Sequence, residues 1–225
     1  MTKNIVLVHG AWADGSGWEE VYTILTEKGF NVTIVPNPNT SLADDAKITK
    51  AVLSQQNGPT VLVGHSYGGA IITEAGDHLN VKALVYVAAF LLDKGESLLK
   101  MLKDAPPDLN SPILPPTDGF IWLNRNKFHE NFCADVPASK AKFMAASQIP
   151  VGLAAFDTDL TTAAWKTKKS WYIVATEDKM IPPDAERGMA KRANAQVTEI
   201  KASHAVYISH AAEVVGVIEK AAKDA

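Results

Sequence analysis

The chain has 225 residues, 47% of them hydrophobic and 21% charged, which is enough for one domain with its own core and excludes a fibre or a disordered tail. Its formal net charge of −3 leaves no basic excess to sit on phosphate, so nucleic acid is disfavoured as a partner. The single cysteine, Cys133, excludes an intrachain disulfide and a paired-cysteine zinc site, and a free thiol fits a reducing compartment.

The first four residues run straight into a short apolar run at 5–8, with nothing that reads as a leader. The purest apolar stretch, 83–92, is far below the ~18 residues that cross a bilayer. The expectation is a cytoplasmic protein with no membrane partner. In chain order, a strand at 5–8 is closed by Gly10. A helix at 16–28 follows, with Trp18, Val21, Tyr22 and Leu25 on one face and Gly29 at its C-cap. Residues 32–35 read as a strand closed by Pro36 and Pro38, and 41–56 as a helix with Ser41 as N-cap and Asp44 three residues on. Gly58 and Pro59 end it, and strands at 61–63 and 81–87 flank a helix at 66–77.

Apolar strands without polar alternation are buried on both faces, and their alternation with helices predicts parallel βαβ units. The pattern breaks at 90–167, where no convincing strand is visible and five of the twelve prolines crowd between Pro106 and Pro116. Helix-like pieces at 97–103, 122–132 and 137–148 surround that loop. Regular alternation returns with strands at 170–176 and 197–200 and helices at 183–193 and 210–222. The predicted fold class is therefore α/β, with about six mainly parallel strands and helices on both sides. Residues 1–89 and 168–225 form its core, and 90–167 form a helical insertion.

The chemistry centres on Gly64-His65-Ser66-Tyr67-Gly68, a G-x-S-x-G sequence entered by a strand and left by a helix. Such an elbow forces Ser66 into a strained turn that lifts its hydroxyl above the sheet edge. It also sets the Tyr67 N–H and a helix N-terminus where negative charge would develop. A serine nucleophile needs a base and an acid that orients the base, and after such an elbow these follow in the order acid, then histidine. Asp178 and His204 each lie just past a later strand, where open α/β sheets bind ligands. Glu177 competes with Asp178, and His210 competes with His204. Ala11, after Gly10, supplies the second N–H of an oxyanion hole. His9 reads as a packing residue of that loop and Asp14 as the N-cap of the helix at 16. His78 and His129 read as exposed or structural, and Lys94, Lys100, Lys103, Arg125 and Lys127 as a solvated face.

The whole chain resembles the α/β-hydrolase superfamily. It is similar to small bacterial serine hydrolases near the methyl-salicylate esterases, hydroxynitrile lyases and pyrethroid esterases. The matching segments are residues 6–12, 64–69, 175–178 with 181–183, and 203–205, in the family's order. The resemblance implies Ser66, Asp178 and His204 as a triad, the Ala11 and Tyr67 N–H groups as oxyanion hole, no cofactor and no metal. It also implies that 90–167 is a cap over the site. Trp12, Leu98, Leu102, Phe120, Trp122 and Phe128, with Phe132 and Phe143, are candidates for an apolar substrate pocket. The expected activity is hydrolysis of small to medium apolar carboxylic esters through an acyl-enzyme. The alternatives are hydroxynitrile-lyase-like or perhydrolase chemistry at the same triad, or a non-catalytic receptor. The lyases carry Thr and Lys where this chain has Gly10 and Ala205, which favours hydrolysis.

Overall fold

A computed structural model describes residues 2–103 and 111–225. Residues 104–110, with Pro106 and Pro107 of the predicted proline-rich loop, lie outside the described residues. In chain order the first half contains β1 (Asn4–Val8), α1 (Glu19–Glu27), β2 (Asn31–Val35), α2 (Leu42–Ser54), β3 (Thr60–Ser66), α3 (Gly68–Ala75) and β4 (Val81–Ala89). The connection that follows carries α4 (Leu98–Lys103), β5 (Phe120–Ile121), α5 (Arg125–Phe132), α6 (Ala138–Ser147), β6 (Val151–Gly152) and α7 (Leu153–Asp157). The chain then returns to the sheet with β7 (Lys169–Ala175), α8 (Pro183–Arg192), β8 (Gln196–Ile200), α9 (Val206–Ser209) and α10 (Ala211–Asp224).

Six strands form one parallel sheet in the order β2-β1-β3-β4-β7-β8. The inner strands β1 and β3 are buried at every residue, while the edge strands β2 and β8 are mostly not. Continuous apolar runs in the middle and polar residues at the edges follow from which strands have helices over both faces. Right-handed crossovers place α2, α3 and α8 on one face and α1 on the other. There α1 packs on α10, which covers β3, β4 and β7. In α10 the buried residues Ala211, Val214, Val215, Ile218 and Ala222 recur at helical spacing, so one face closes the core.

The sheet order reverses at β1: β2 is added on one side of it and β3 on the other. Loops leaving the C-terminal ends of β1 and β3 therefore diverge, and the crevice between them is the place where open α/β sheets bind ligands.

The connection from β4 to β7 corrects one expectation. It holds a two-stranded antiparallel ribbon, Phe120 opposite Gly152 and Ile121 opposite Val151, where no strand is predicted. Two-residue strands have no periodicity to read; their partners lie about thirty residues apart in sequence. The ribbon is fixed by non-local bonds, from Gly152 N–H to the Asn39 carbonyl (2.8 Å) and from the Trp12 indole to the Ile121 carbonyl (3.0 Å). The short helices α7 and α9 are likewise unpredicted, and the helix expected from 122 begins at Arg125, with Asn124 as its N-cap. Asp14 caps the turn at Ser16, as its position suggests.

Candidate active site

Four loops meet over the crevice. The first is the turn between β3 and α3. Ser66 sits at φ 55°, a left-handed conformation that costs a non-glycine residue about 1–2 kcal/mol. The turn is so tight that a Cβ on Gly64 would stand 2.4 Å from the Gly68 carbonyl oxygen. Tyr67, the next residue, opens α3, and its N–H lies at that helix's N-terminus.

The second loop follows β7. One oxygen of the Asp178 carboxylate accepts the N–H groups of Met180 (2.6 Å) and Ile181 (2.9 Å). The other faces His204 Nδ1 at 2.6 Å. Both residues are buried, with 6% and 1% of their surface exposed, so this pair is shielded from screening. A carboxylate can only accept; Nδ1 therefore carries the ring proton, and Nε2 is left as the basic nitrogen. Behind the pair lies Glu186 of α8, fully buried, with one carboxyl oxygen accepting from the Ala175 N–H (3.3 Å). Burial and the neighbouring Asp178 hold Glu186 far above the usual carboxylate range. That direction favours the neutral acid, which would add no second negative charge beside Asp178.

The third loop follows β8 and carries His204. Its carbonyl accepts from His65 Nε2 (2.9 Å), which ties the histidine before Ser66 to the histidine paired with Asp178. Burial depresses the His65 pKa well below the usual value, so that ring is neutral. Phe132 meets the His204 ring edge-on at 4.9 Å, and its carbonyl accepts the Ala205 N–H (3.0 Å). Asp135 accepts from the N–H (3.0 Å) and hydroxyl of Ser203. Among the described residues no hydrogen bond joins the Ser66 hydroxyl to the His204 ring; such contacts commonly tighten only when substrate binds.

The fourth loop follows β1. A Cβ on Gly10 would lie 2.7 Å from Ser66 Cβ, so glycine is what lets this loop reach the serine. Among the described residues the N–H groups of Ala11 and Tyr67 have no backbone acceptor, although both residues are buried. Both line one narrow, mainly apolar cavity with Trp12, Ser66, Phe90, Leu102, Ile113, Phe156, Met180 and Ile181.

Of the predicted pocket residues, the structure brings Trp12 and Leu102 to this cavity. Leu98, Phe128 and Phe132 are fully buried, Phe128 stacking on Phe132. Phe120 is 37% and Phe143 65% exposed. Trp122 lines a separate surface groove with Leu114 and Arg125. The cavity-lining Phe90, Ile113, Phe156, Met180 and Ile181 are missing from the expectation. Met180 and Ile181 lie two and three residues after Asp178 in the same loop, a signal that could have found them. Phe90 follows a bulge at Ala88 (φ 44°), where the pairing of β4 with β3 shifts by one residue.

The competing residues lie elsewhere. Glu177 is exposed beside Lys201, and His210 accompanies Ser209 at the start of α10. His9 is buried with Nδ1 3.0 Å from the Gly10 carbonyl. His78 contacts Ser54, and His129 contacts the Val136 carbonyl. Cys133 is buried, and its thiol is pushed up to about 12 by burial and Asp135, so it is protonated. Among the described residues no cluster of His, Cys, Asp and Glu could hold a metal ion, and no helix is long and apolar enough to cross a membrane.

Comparison with known proteins agrees with the motifs. A carbendazim hydrolyzing esterase of Nocardioides sp. (strain SG-4G) is 27% identical over 196 residues, covering 76% of this chain and 79% of that protein. A pyrethroid hydrolase of Sphingobium wenxiniae is 26% identical over 235 residues, covering 92% and 82%. Among solved structures, polyneuridine aldehyde esterase superposes with a TM-score of 0.85 at 20% identity over 98% of this chain and 99% of that one. The model of the alpha/beta hydrolase family matches residues 5–217, and the chain belongs to that family.

Proposed function

We propose that this chain is a cofactor-independent serine hydrolase that cleaves carboxylic esters of small to medium apolar molecules. The observation that carries the reading is Ser66, on its left-handed elbow, lining one cavity with Met180 and Ile181, whose N–H groups hold the Asp178 carboxylate of a buried Asp178–His204 pair joined at 2.6 Å. The relatives named as esterases support the reaction type. The apolar lining of the cavity supports an apolar substrate, and the connection 90–167, which contributes Phe90, Leu102, Ile113 and Phe156, acts as its cap.

In this mechanism Ser66 Oγ attacks the ester carbonyl while His204 Nε2 takes the hydroxyl proton. Asp178 holds the ring and stabilises the imidazolium that forms. The tetrahedral oxygen rests on the Ala11 and Tyr67 N–H groups, a kind of donor worth roughly 10²–10³ in rate. As the carbonyl re-forms, the C–O bond to the alcohol breaks and His204 gives its proton to the leaving oxygen. Water then repeats the sequence on the acyl-enzyme, and the acid leaves with Ser66 restored. Gly10 bears on the lyase alternative: a threonine there would press its Cβ on Ser66 Cβ at 2.7 Å, so this loop is built for no side chain.

The test is labelling by a fluorophosphonate together with turnover of p-nitrophenyl esters from acetate to octanoate. Wild-type protein is expected to label and turn over. Ser66→Ala should fold, fail to label and lose about 10³-fold or more in kcat, and adding His204→Ala should cost little further because the two act as one unit. Undiminished turnover in Ser66→Ala would overturn the nucleophile. Labelling without turnover of any ester would move the reading to the lyase or to the receptor.

A further inference from the structure

Beneath the β1 loop lies a buried polar network that the proposed reaction leaves unused. It consists of His9, Asn37, Asn39 and Asp45, all nine-tenths or more buried. The Gly10 carbonyl accepts from Asn39 Nδ2 (3.2 Å) and faces His9 Nδ1 (3.0 Å). That carbonyl belongs to the same rigid peptide plane as the Ala11 N–H, which points the opposite way. Holding the oxygen therefore aims the hydrogen. The Asn39 backbone N–H donates to one oxygen of Asp45 (2.8 Å), and the Tyr67 hydroxyl donates to the other (2.6 Å). Asn37 Nδ2 donates to Asn39 Oδ1 (2.8 Å), which leaves the Asn39 amide nitrogen turned to Gly10.

Asn39 thus contacts the Gly10–Ala11 half of the oxyanion hole directly and reaches the side chain of Tyr67, whose N–H is the other half, through Asp45. Its own backbone is left-handed (φ 59°), a conformation that asparagine tolerates better than most residues. Its carbonyl accepts the Gly152 N–H of β6, so the same residue also anchors the cap.

We propose that Asn39 is a positioning residue of the oxyanion hole: its amide fixes the Gly10–Ala11 peptide, and its backbone, through Asp45, fixes Tyr67 relative to it. This rests on the hydrolase reading given above. The geometry requires a donor at this position, because a carboxylate there would face the Gly10 carbonyl oxygen with a second acceptor. It also requires a residue that accepts positive φ, so glycine keeps the backbone while removing the amide.

The experiment compares wild type, Asn39→Gly and Asn39→Asp. It reads kcat and KM on the best p-nitrophenyl ester, fluorophosphonate labelling, thermal midpoint, and affinity for a trifluoromethyl ketone, whose adduct with Ser66 places an oxyanion in the hole. Since direct loss of one such donor costs roughly 10²–10³, loss of its alignment is expected to lower kcat by about 10- to 100-fold at nearly constant KM. Ketone affinity should fall by a matching factor, measured well below each variant's thermal midpoint. Labelled, active wild type with unchanged kcat in Asn39→Gly would overturn the positioning role and leave the hydrolase standing. So would a kcat loss with no loss of ketone affinity, which would mark a purely structural role. Wild type that neither labels nor turns over would overturn the hydrolase and this role with it.

Discussion

The elbow between β3 and α3 and the connection between β4 and β7 contribute to the same cavity but are held in opposite ways. The elbow is locked by local sterics. Ser66 takes a left-handed conformation, and Gly64 lies where a Cβ would be 2.4 Å from a backbone oxygen, between a fully buried strand and a mostly buried helix. The connection is held by non-local contacts: buried side chains such as Leu98, Phe128 and Phe132 join the core, and polar ties reach distant parts of the chain. Gly152 bonds to Asn39, Trp12 to Ile121, Thr161 and Thr162 to Glu74, and Asp135 to Ser203. The difference separates two tasks. On the proposed reaction, attack on a carbonyl needs one fixed geometry, whereas substrate scope would be set by the exchangeable side chains that line the cavity.

The sharpest way to break the comparison is to add one carbon to each region. Gly64→Ala pushes a methyl into the Gly68 backbone, which cannot yield as a side-chain tip would. Such overpacking is expected to cost about 3 kcal/mol or more and to abolish labelling of Ser66 in whatever still folds. In the connection, Gly119 has nothing within 4 Å of an added Cβ, and only its positive φ (81°) opposes alanine. Gly119→Ala should cost about 1 kcal/mol and leave kcat unchanged. Urea unfolding and labelling on both variants check this; equal losses would erase the distinction between the regions.

The same contrast explains what the amino-acid sequence disclosed. The six sheet strands, and helices such as α2 with its Ser41 cap, are read from apolar runs and capping residues because their stabilising partners are local or periodic. Ser66, Asp178 and His204 stand in motifs whose spacing ties them to strand ends. The ribbon of β5 and β6 has two residues per strand and depends on Asn39, far away in sequence, so no window reveals it. The pocket residues fail for a related reason. Aromatic residues in an irregular segment either line a cavity or fill a core, and composition does not say which: Phe128 is core, Phe156 lines the cavity, and Phe143 is exposed. Asn39 and Asp45 carry no motif, since their importance lies in which carbonyl and which hydroxyl they reach.

A smaller effect sharpens the picture of the rigid region through pH. Glu186 is raised well above its unfolded value, first by burial and then by Asp178. The folded chain therefore holds a proton that the unfolded chain releases above about pH 4.3. The resulting contribution is fully present below that pH and is lost as pH rises toward the folded pKa, with a limiting slope of about 1.4 kcal/mol per pH unit. Glu186→Gln keeps a neutral group of the same shape and removes the proton. Unfolding free energies measured from pH 5 to pH 9 should decline more steeply for wild type than for the variant. Parallel curves would mean that Glu186 is ionised in the fold, and that Asp178 shares its site with a second negative charge.

The smallest effect tests the exchangeable region. Leu102, near the end of α4, lines the cavity while 36% of its surface is exposed, so truncating it removes contact with substrate but little core. Leu102→Ala should lower stability by about 1 kcal/mol or less. Its lost contact with a medium-length acyl or alcohol chain should raise KM for p-nitrophenyl hexanoate several-fold, since about 1 kcal/mol of apolar contact corresponds to roughly a fivefold change. The acetate ester, too short to fill the cavity, should be unaffected, and kcat should hold for both. Phe143→Ala, at a side chain 65% exposed in the same connection, is the control and should change neither substrate's KM. If both variants raise KM for both esters alike, the connection acts on the elbow as a whole, and the division between a fixed reaction centre and a replaceable lining fails.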